Sequence, residues 1–237
     1  MPPEPAILEV VGLGKKFGPS AVLRSLDFSL RRGETLLLLG ENGSGKSTLL
    51  RILAGLLRPT SGTLRLDGHP FPSSNPASRG SVGLLSHTSY LYDELSLREN
   101  LVFAAKLHGV NDPNAAAALA METVGLGSRA DERVGRLSRG MLQRAAIARA
   151  FIHSPALLLV DEPFTALDAL SAGRVREWLA ERALSHRGIV LVTHQPAEVW
   201  DLATHVGVLA RGVWAILEPR PVLLEGFLQR YHEAIRV

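Results

Sequence analysis

The spacing of apolar residues changes between strand-like and helical several times along the chain. Leu26, Phe28 and Leu30 alternate with polar residues, which predicts a strand with one buried and one exposed face. Residues 36–39 form a continuous apolar run, as expected of a strand buried on both faces. The chain up to about Leu39 is therefore predicted to form a half-exposed antiparallel sheet followed by one buried strand.

A helix and a hairpin are predicted next. Leucines keep helical spacing as far as Leu57, and the following Arg-Pro pair is expected to stop that helix. Asp67 and Gly68 follow two leucines that alternate with polar residues, and together they indicate a hairpin turn. The Pro- and Ser-rich segment 71–80 is predicted to be a loop.

The middle of the chain has helical patterning. Residues 96–99 have the sequence of a capping box, which predicts the start of a helix that ends near Gly109. An Asp-Pro pair at residue 112 predicts a second helix, which Gly125 or Gly127 would end.

Strand-like patterning then returns. Apolar runs at residues 157–160, 189–193 and 206–210 are separated by helical segments, which implies a parallel sheet with helices on its faces. Near the end of the chain, apolar residues at every fourth position predict a helix that docks on its own core, the alternative being a partner-binding helix. These residues are Leu223, Phe227, Tyr231 and Ile235.

Composition narrows the class of protein. The chain has 237 residues, enough for one large domain or two small ones. Its 46% of apolar and 5% of aromatic residues favour a packed core over a disordered chain or one that binds nucleic acid by stacking. The formal charge is only +3 and no block of like charges occurs, so we expect no nucleic-acid partner.

The sequence also bears on location. The absence of cysteine is compatible with the cytosol, and residues 1–5 lack the basic and apolar regions of a signal peptide. No run approaches the ~20 apolar residues that a membrane-spanning helix needs. If the protein serves a membrane process, we expect another chain to supply the span.

A phosphate-loop pattern, G-x-x-x-x-G-K-[ST], begins at Gly40. It follows a predicted buried strand and precedes a predicted helix, which is the context that separates a phosphate loop from a chance match. Glycines let backbone N–H groups approach a phosphate, Lys46 can reach the β- and γ-phosphates, and the Ser47 hydroxyl can bind Mg²⁺. The predicted nucleotide-binding residues are Gly40, Glu41, Asn42, Gly43, Ser44, Gly45, Lys46, Ser47 and Thr48, and Lys46 is also predicted to be catalytic.

Two acidic residues, Asp161 and Glu162, follow the apolar run 157–160. Ligands of open parallel sheets gather at this end of the strands. Asp161 is predicted to bind Mg²⁺ together with Ser47, and Glu162 to orient and deprotonate the attacking water. Alone, such a pair would be an ordinary polar strand end; beside a phosphate loop, the catalytic interpretation is favoured.

A third motif separates this chain from other phosphate-loop proteins. Residues 137–141 resemble the L-S-G-G-Q signature of ABC ATPases, and the order of the motifs resembles that family from about residue 8 to residue 217. The five signature positions are Leu137, Ser138, Arg139, Gly140 and Met141. The resemblance implies an α/β phosphate-loop ABC ATPase fold in one domain, residues 1–237. Residues 1–86 and 141–237 would form the ATPase core with an N-terminal antiparallel β-subdomain, and residues 87–140 an inserted helical subdomain.

The resemblance also implies roles for single residues. Phe17 matches the aromatic residue that stacks on adenine, although a core Phe is the alternative. Ser138 and Gly140 match the positions that bind the γ-phosphate of ATP held by the partner subunit. Asp168 matches the loop that contacts the partner, and His194 the histidine that touches the γ-phosphate and is counted as catalytic.

Three positions depart from the family pattern. Arg139 and Met141 replace a glycine and the glutamine of the signature, but both leave the Ser138 hydroxyl in place. His87, assigned to the nucleotide site, stands where most ABC ATPases have a glutamine that senses Mg²⁺ and the membrane partner. With the Thr-His-Gln-Pro run at 193–196, these features resemble the ATPase subunit of haem exporters used in cytochrome c maturation.

The resemblance implies that the chain hydrolyses ATP with Mg²⁺. It would work as a homodimer or beside a paired ATPase subunit, drive separate integral membrane subunits, and lie on the cytoplasmic face of the inner (plasma) membrane. Three alternatives stay open: an ABC exporter ATPase for another substrate, a soluble ABC ATPase without a membrane partner, and a nucleotide-binding module without hydrolysis. The single cassette argues against the second, and Glu162 with His194 against the third.

Overall fold

A six-stranded sheet forms the centre of the protein in the computed structural model, which describes residues 5–72, 80–184 and 187–236. Its strands are β3 (Thr35–Leu39), β6 (Val82–Leu85), β7 (Leu157–Asp161), β8 (Gly188–Val192), β9 (His205–Ala210) and β10 (Val213–Pro219). They lie in the order β10-β9-β3-β8-β7-β6, and all neighbours are parallel except β10, which runs antiparallel to β9. The predicted parallel sheet is confirmed; most of the loop predicted at residues 71–80 lies outside the described residues.

Alternate residues of the parallel strands pack into two different cores. Leu37 and Leu158 belong to the core on one face of the sheet, and Leu36 and Leu159 to the core on the other. All four side chains are buried. A strand covered on both faces needs an apolar residue at every position, which is why these segments are continuous apolar runs in the sequence.

A four-stranded antiparallel sheet covers one of these cores. Its strands are β1 (Ala6–Phe17), β2 (Ser20–Arg31), β4 (Ser61–Leu66) and β5 (His69–Pro70), in the order β2-β1-β4-β5. In β2, Leu26 and Leu30 are buried while Asp27 is exposed, so the predicted half-exposed strand is confirmed. The predicted hairpin turn is also present, with positive φ angles of 49° at Asp67 and 74° at Gly68.

In the described parts of the chain, six α-helices pack around the two sheets. They are α1 (Lys46–Leu53), α2 (Leu97–Leu107), α3 (Pro113–Thr123), α4 (Arg139–Phe151), α5 (Ala169–Leu184) and α6 (Leu224–Arg236). Short 3-10 turns cover Gly127–Arg129, Val134–Arg136, Pro196–Glu198 and Trp200–Leu202. Helices separate β6 from β7 and β7 from β8, as the sequence predicts, whereas only two 3-10 turns lie between β8 and β9, where the sequence also predicts a helical segment.

The prediction that α1 continues to Leu57 is wrong. Gly55 has a φ of +70°, and its N–H donates to the Ile52 carbonyl while the N–H of Leu56 donates to the Arg51 carbonyl. This pair of bonds is a Schellman motif, in which a left-handed glycine closes the helix. The helix therefore ends at its glycine, well before the Arg-Pro pair.

The helices between β6 and α4 begin as the sequence predicts. The Ser96 hydroxyl accepts a bond from the Glu99 N–H, and the Glu99 carboxylate accepts one from the Ser96 N–H, completing the capping box of α2. Asp112 caps α3, and Gly125 follows that helix with a φ of +66°. The helices α2 and α3 pack on each other and on α4. The division into residues 87–140 and a surrounding core stays a prediction.

The last helix, α6, lies on the body of the chain. Phe227 is fully buried, and its ring centroid lies 5.1 Å from that of Trp200. Leu224, Tyr231 and Ile235 are partly buried against the same core. Leu223, predicted to belong to the apolar face, is instead 72% exposed because it precedes the helix.

Candidate functional site

A cleft of about 1140 Å³ opens where β3, β7 and β8 end. The loop after β3 carries the phosphate-loop pattern, β7 ends in the acidic pair, and His194 follows β8. Because parallel strands end at the same edge of a sheet, the fold brings together residues that lie more than a hundred positions apart in the chain.

Both backbone conformation and the space available require glycine at positions of the phosphate loop. Gly40, Gly43 and Gly45 have φ angles of +149°, +81° and +110°, which other residues rarely adopt. A Cβ atom at Gly40 would lie 2.2 Å from the Leu209 carbonyl oxygen, and one at Gly45 would lie 2.6 Å from Leu23 Cδ2. At these positions the loop therefore has no side chains, and α1 begins immediately after it, at Lys46.

The side chain of Lys46 is held by backbone carbonyls of the phosphate loop. Its Nζ donates to the Gly40 carbonyl at 2.7 Å and to the Glu41 carbonyl at 2.9 Å, and the residue is only 8% exposed. Burial lowers the pKa of Lys46, while the carboxylates of Asp161 and Glu162 act in the opposite direction. The ammonium group thus lies among acceptors and acidic groups, at the position where a phosphate would be met.

The remaining loop residues divide into two groups. Asn42, Gly43, Gly45, Ser47 and Thr48 line the cleft with Lys46. Gly40, Glu41 and Ser44 belong to the same loop but are not among its lining residues. The Ser47 side chain lies on the first turn of α1 and is exposed, so its hydroxyl is available to a ligand.

The two residues of the acidic pair differ in backbone position and conformation. Asp161 is the last residue of β7 and is 5% exposed. Glu162 has a positive φ of 51°, and its N–H donates to the Val192 carbonyl at 2.9 Å. This sparsely populated conformation turns the chain out of the strand, a form of strain that often accompanies functional sites.

Glu162 and His194 are in contact within the cleft. Oε2 of Glu162 accepts a bond from the His194 N–H at 3.3 Å, and Oε1 lies 3.4 Å from His194 Nε2. Oε1 is buried and has no hydrogen bond within the part of the chain that the structure describes. A carboxylate with a free acceptor position next to an imidazole can hold and activate a water molecule.

His87 lies at the acidic pair, as its assignment to the nucleotide site requires. Its Nε2 is 3.3 Å from Oδ2 of Asp161, although 70% of its side chain is exposed. Burial raises the pKa of Asp161, while His87 has the strongest opposing effect. An exposed histidine therefore contacts the buried carboxylate that is the candidate Mg²⁺ ligand.

The residues present fit a magnesium ion shared with a nucleotide. Across residues 5–72, 80–184 and 187–236, no group of three or more His, Cys, Asp or Glu side chains is placed to hold a metal by itself. Mg²⁺ commonly takes only one or two protein oxygens and completes its shell with phosphates and water. The Ser47 hydroxyl and the Asp161 carboxylate, in one cleft, match that donor set.

The predicted signature residues lie at the start of α4. Ser138 is exposed, and its hydroxyl accepts a bond from the Met141 N–H at 3.3 Å, which caps the helix. A Cβ atom at Gly140 would lie 3.0 Å from the Ala166 carbonyl oxygen. Arg139 lines the cleft, whereas Ser138 and Gly140 do not. Their assignment to the ATP of a partner subunit stays a prediction.

Two other predicted residues lie apart from the cleft lining. Phe17, at the end of β1, is 49% exposed, and Lys15 Nζ lies 5.0 Å from its ring centroid. The core alternative for Phe17 is therefore wrong, and its stacking on adenine stays a prediction. Asp168 caps α5 by accepting bonds from the Ser171 N–H and hydroxyl.

Sequence reasoning missed Gln143. Its amide donates to the carbonyl oxygens of Glu162 at 3.4 Å and Pro163 at 3.3 Å, so it ties α4 to the loop that carries the candidate base. Its only signal was a polar side chain on a helix whose buried residues are mostly alanine. Val22 was missed as well; it lines the cleft from β2, and its apolar side chain gives no sequence signal for that position.

Comparisons with known proteins agree on a single family. The family model described as "ABC transporter" matches residues 23–165. The chain is 38% identical over 218 residues to the Nod factor export ATP-binding protein I of Bradyrhizobium diazoefficiens, an alignment that covers 90% of this chain and 70% of the relative. It is also 38% identical over 234 residues to an aliphatic sulfonates import ATP-binding protein of Paraburkholderia xenovorans, covering 93% of this chain and 87% of the relative. The chain belongs to the ABC transporter ATP-binding family.

Solved structures support this membership. An ATP-binding subunit of an ABC transporter superposes with a TM-score of 0.88 at 28% identity, covering 96% of this chain and 99% of the other. The expected ABC ATPase fold, with its parallel-sheet core and antiparallel sheet, is confirmed.

Membership in the family confirms the predicted cofactors and partners. ABC ATPase domains bind ATP with Mg²⁺, and the subunits of transporters work as dimers with separate membrane subunits. No helix in the described parts of this chain is both long enough and apolar enough to cross a membrane.

Proposed function

We propose that this ABC subunit hydrolyses ATP through Lys46, Ser47, Asp161, Glu162 and His194 and passes the resulting movement to a membrane partner. One observation carries the proposal: all five residues line a single cleft, although they come from three separate segments of the chain. An isolated phosphate loop would bind a nucleotide without a base beside it. Here, the candidate base and the candidate metal ligand lie at the same edge of the sheet.

Each residue has a separate part in the proposed reaction. Lys46 neutralises the β- and γ-phosphates, while Ser47 and Asp161 hold Mg²⁺, which would supply further charge neutralisation. Glu162 orients the attacking water and accepts its proton. His194, through its contact with Glu162, positions that carboxylate and meets the γ-phosphate.

The second half of each site is proposed to come from the partner ATPase subunit. Ser138 and Gly140 lie at the exposed start of α4, where a helix N-terminus offers N–H groups to an anion. A phosphate of the partner's ATP would meet the Ser138 hydroxyl and these N–H groups together.

An exposed apolar patch on α2 and the loop before it is the proposed contact with the membrane subunit. Its members are Tyr90, Tyr92, Phe103 and Leu107, which are 46%, 53%, 47% and 71% exposed. Clustered exposed apolar side chains commonly mark a protein contact. The patch begins three residues after His87, whose ring contacts Asp161. A movement of the membrane partner at the patch can therefore be transmitted to the nucleotide site through a short segment of chain.

The substitution Glu162→Gln tests the proposed hydrolysis. The variant should bind ATP as the wild type does but lose turnover, because an amide cannot accept the proton of water. Dimers should then accumulate with ATP and Mg²⁺ in size-exclusion chromatography. Glu177→Gln, on the exposed side of α5, is the matched control and should keep full turnover. Normal hydrolysis by Glu162→Gln would show that another group is the base.

A narrower part of the proposal concerns the cargo. The relatives are named for Nod factor export, aliphatic sulfonate import and bacitracin transport. The similarity therefore supports an ABC transporter ATPase but does not select one transported substrate. Haem export for cytochrome c maturation is the cargo that we propose, supported by His87 beside Asp161, the run at 193–196 and the Arg139 variant of the signature. An exporter ATPase for another substrate is the alternative.

Deletion of the gene tests this cargo. Holocytochrome c outside the cytoplasm should be depleted, while cytosolic haem and the apocytochromes remain. Restoration with Glu162→Gln should fail to rescue maturation, since closure without hydrolysis completes no cycle. Normal holocytochrome c in the deletion strain would remove haem as the cargo and leave the ATPase proposal untouched.

A further inference from the structure

A second cavity lies away from the nucleotide cleft, between α3, α4 and α5. Its volume is about 330 Å³, and it shares no lining residue with the cleft. Ligand pockets in proteins range from roughly 300 to 1,000 Å³, so the cavity can hold a small molecule. Its walls are largely apolar, formed by Leu119, Val124, Ile147, Phe151, Val175 and Trp178.

The cavity also contains three arginines, Arg144, Arg174 and Arg182, and none of its lining residues is acidic among those that the structure describes. Arg144 Nη1 donates to the carbonyl oxygens of Val124 at 2.9 Å and Gly125 at 3.3 Å. These bonds hold one guanidinium at the end of α3.

Arg174 lies at the same place. A Cβ atom at Gly125 would be 2.9 Å from Arg174 Nη1 and 3.3 Å from Arg144 Nη1, so the two guanidinium groups converge on one glycine. Within the described parts of the chain, no hydrogen bond or ion pair is formed by Arg174. Like charges this close repel each other, and an anion between them would relieve that repulsion.

Part of the cavity wall is aromatic. The rings of Phe151 and Trp178 have centroids 4.1 Å apart, and the Arg182 guanidinium lies 5.0 Å from the Trp178 ring centroid. Asp168 accepts bonds from Ser171, which lines the cavity, but does not line the cavity itself. The bonds from Ser171 lower the pKa of Asp168 more strongly than Arg144 does.

We propose that this cavity binds a small amphipathic anion. Its aromatic or alkyl body would lie against Phe151 and Trp178, and its carboxylate or phosphate would meet Arg174 and Arg144. The occupant would bridge three helices, of which α4 begins at the signature and α5 begins after Asp168. Binding itself does not depend on the proposed ATPase activity, so the two proposals can fail separately.

Fluorescence titration of the full chain with dansylglycine, an aromatic body with one carboxylate, tests the site. Dansylamide has the same ring system without the carboxylate and should bind at least about tenfold more weakly, because it cannot pair with the arginines. Arg174→Glu should weaken dansylglycine binding by a similar factor. Arg58→Glu, at another exposed arginine with the same change of charge, should leave binding unchanged.

A second variant fills the cavity without changing a charge. Ala120→Phe places a large side chain at the cavity wall and should also abolish dansylglycine binding. Competition by Mg²⁺-ATP would place the probe in the nucleotide cleft and overturn the proposal. Equal affinities of wild type and Arg174→Glu, or equal affinities for dansylglycine and dansylamide, would overturn it as well.

Discussion

Burial sets the protonation of a histidine pair that no motif includes. The rings of His108 and His153 stack with centroids 3.7 Å apart and an angle of 5° between them. Nε2 of His153 lies 3.2 Å from the Val82 carbonyl oxygen, whereas Nδ1 is buried with no hydrogen bond in the described chain. Burial lowers the pKa of His153 from 6.5 to about 4, with His108 as the next cause. Both rings are therefore neutral at pH 7, since burial also lowers the pKa of His108.

This pair predicts a loss of stability in mild acid. The unfolded chain takes up a proton on His153 near pH 6.5, but the folded chain does so only near pH 4. Between these values the unfolded state binds more protons, so the free energy of unfolding falls as the pH falls, by up to about 3 kcal/mol from this residue. Denaturant unfolding at several pH values measures the effect. His153→Gln should flatten the dependence, whereas His69→Gln, at an exposed histidine of β5, should leave it as steep as in the wild type.

Single residues show where sequence reasoning succeeds and where it stops. Lys46 and Glu162 could be placed because their motifs combine a fixed spacing with a fixed position after a strand. The contact of Gln143 with the Glu162 carbonyl could not, because it depends on how α4 lies against the loop after β7. The convergence of Arg144 and Arg174 at Gly125 is of the same kind, since those residues come from different helices.

At the scale of elements, the apolar pattern predicts strands more reliably than helix ends. Strands such as β3 and β7 are apolar throughout because both faces of the sheet are covered. The apolar spacing continues past α1 to Leu57, which packs partly buried against the core, but the helix ends where the chain turns at Gly55. Periodicity indicates which face would be buried if the helix continued, whereas the glycine decides whether it does.

The helix α6 gives a prediction about stability. Phe227→Ala should lower the free energy of unfolding by about 3 to 5 kcal/mol, because a fully buried ring against Trp200 would leave a cavity. Leu223→Ala, four residues earlier and largely exposed, should change it by less than about 0.5 kcal/mol. Thermal or denaturant unfolding compares the two. Equal effects would mean that α6 does not dock through Phe227.

At the scale of the whole molecule, the order of motifs predicts the fold better than any one motif does. The phosphate loop and the acidic pair follow different strands, and the parallel sheet brings those strand ends together. The signature residues Ser138 and Gly140 remain outside the cleft of their own chain. In the proposed composite site one chain holds only part of the residues, so the dimer would be the unit of catalysis.

Mixing two inactive variants tests this composite site. Lys46→Ala disables the phosphate loop of its own chain, and Ser138→Arg disables the half-site offered to the partner, so each variant alone should be inactive. In a mixed dimer both changes fall in the same site, and the other site is intact. An equal mixture should recover up to about a quarter of wild-type ATP turnover, because half of the dimers are mixed and each has one working site.

Ser128→Arg, at an exposed position of a 3-10 turn, is the control for an added arginine and should be active alone. In the contrary case, affinity-tagged mixed dimers form with ATP and Mg²⁺ and still show no turnover, while dimers of wild type with a subunit carrying both changes retain it. This pair of results would mean that the two motifs act within one chain and that the composite site is wrong.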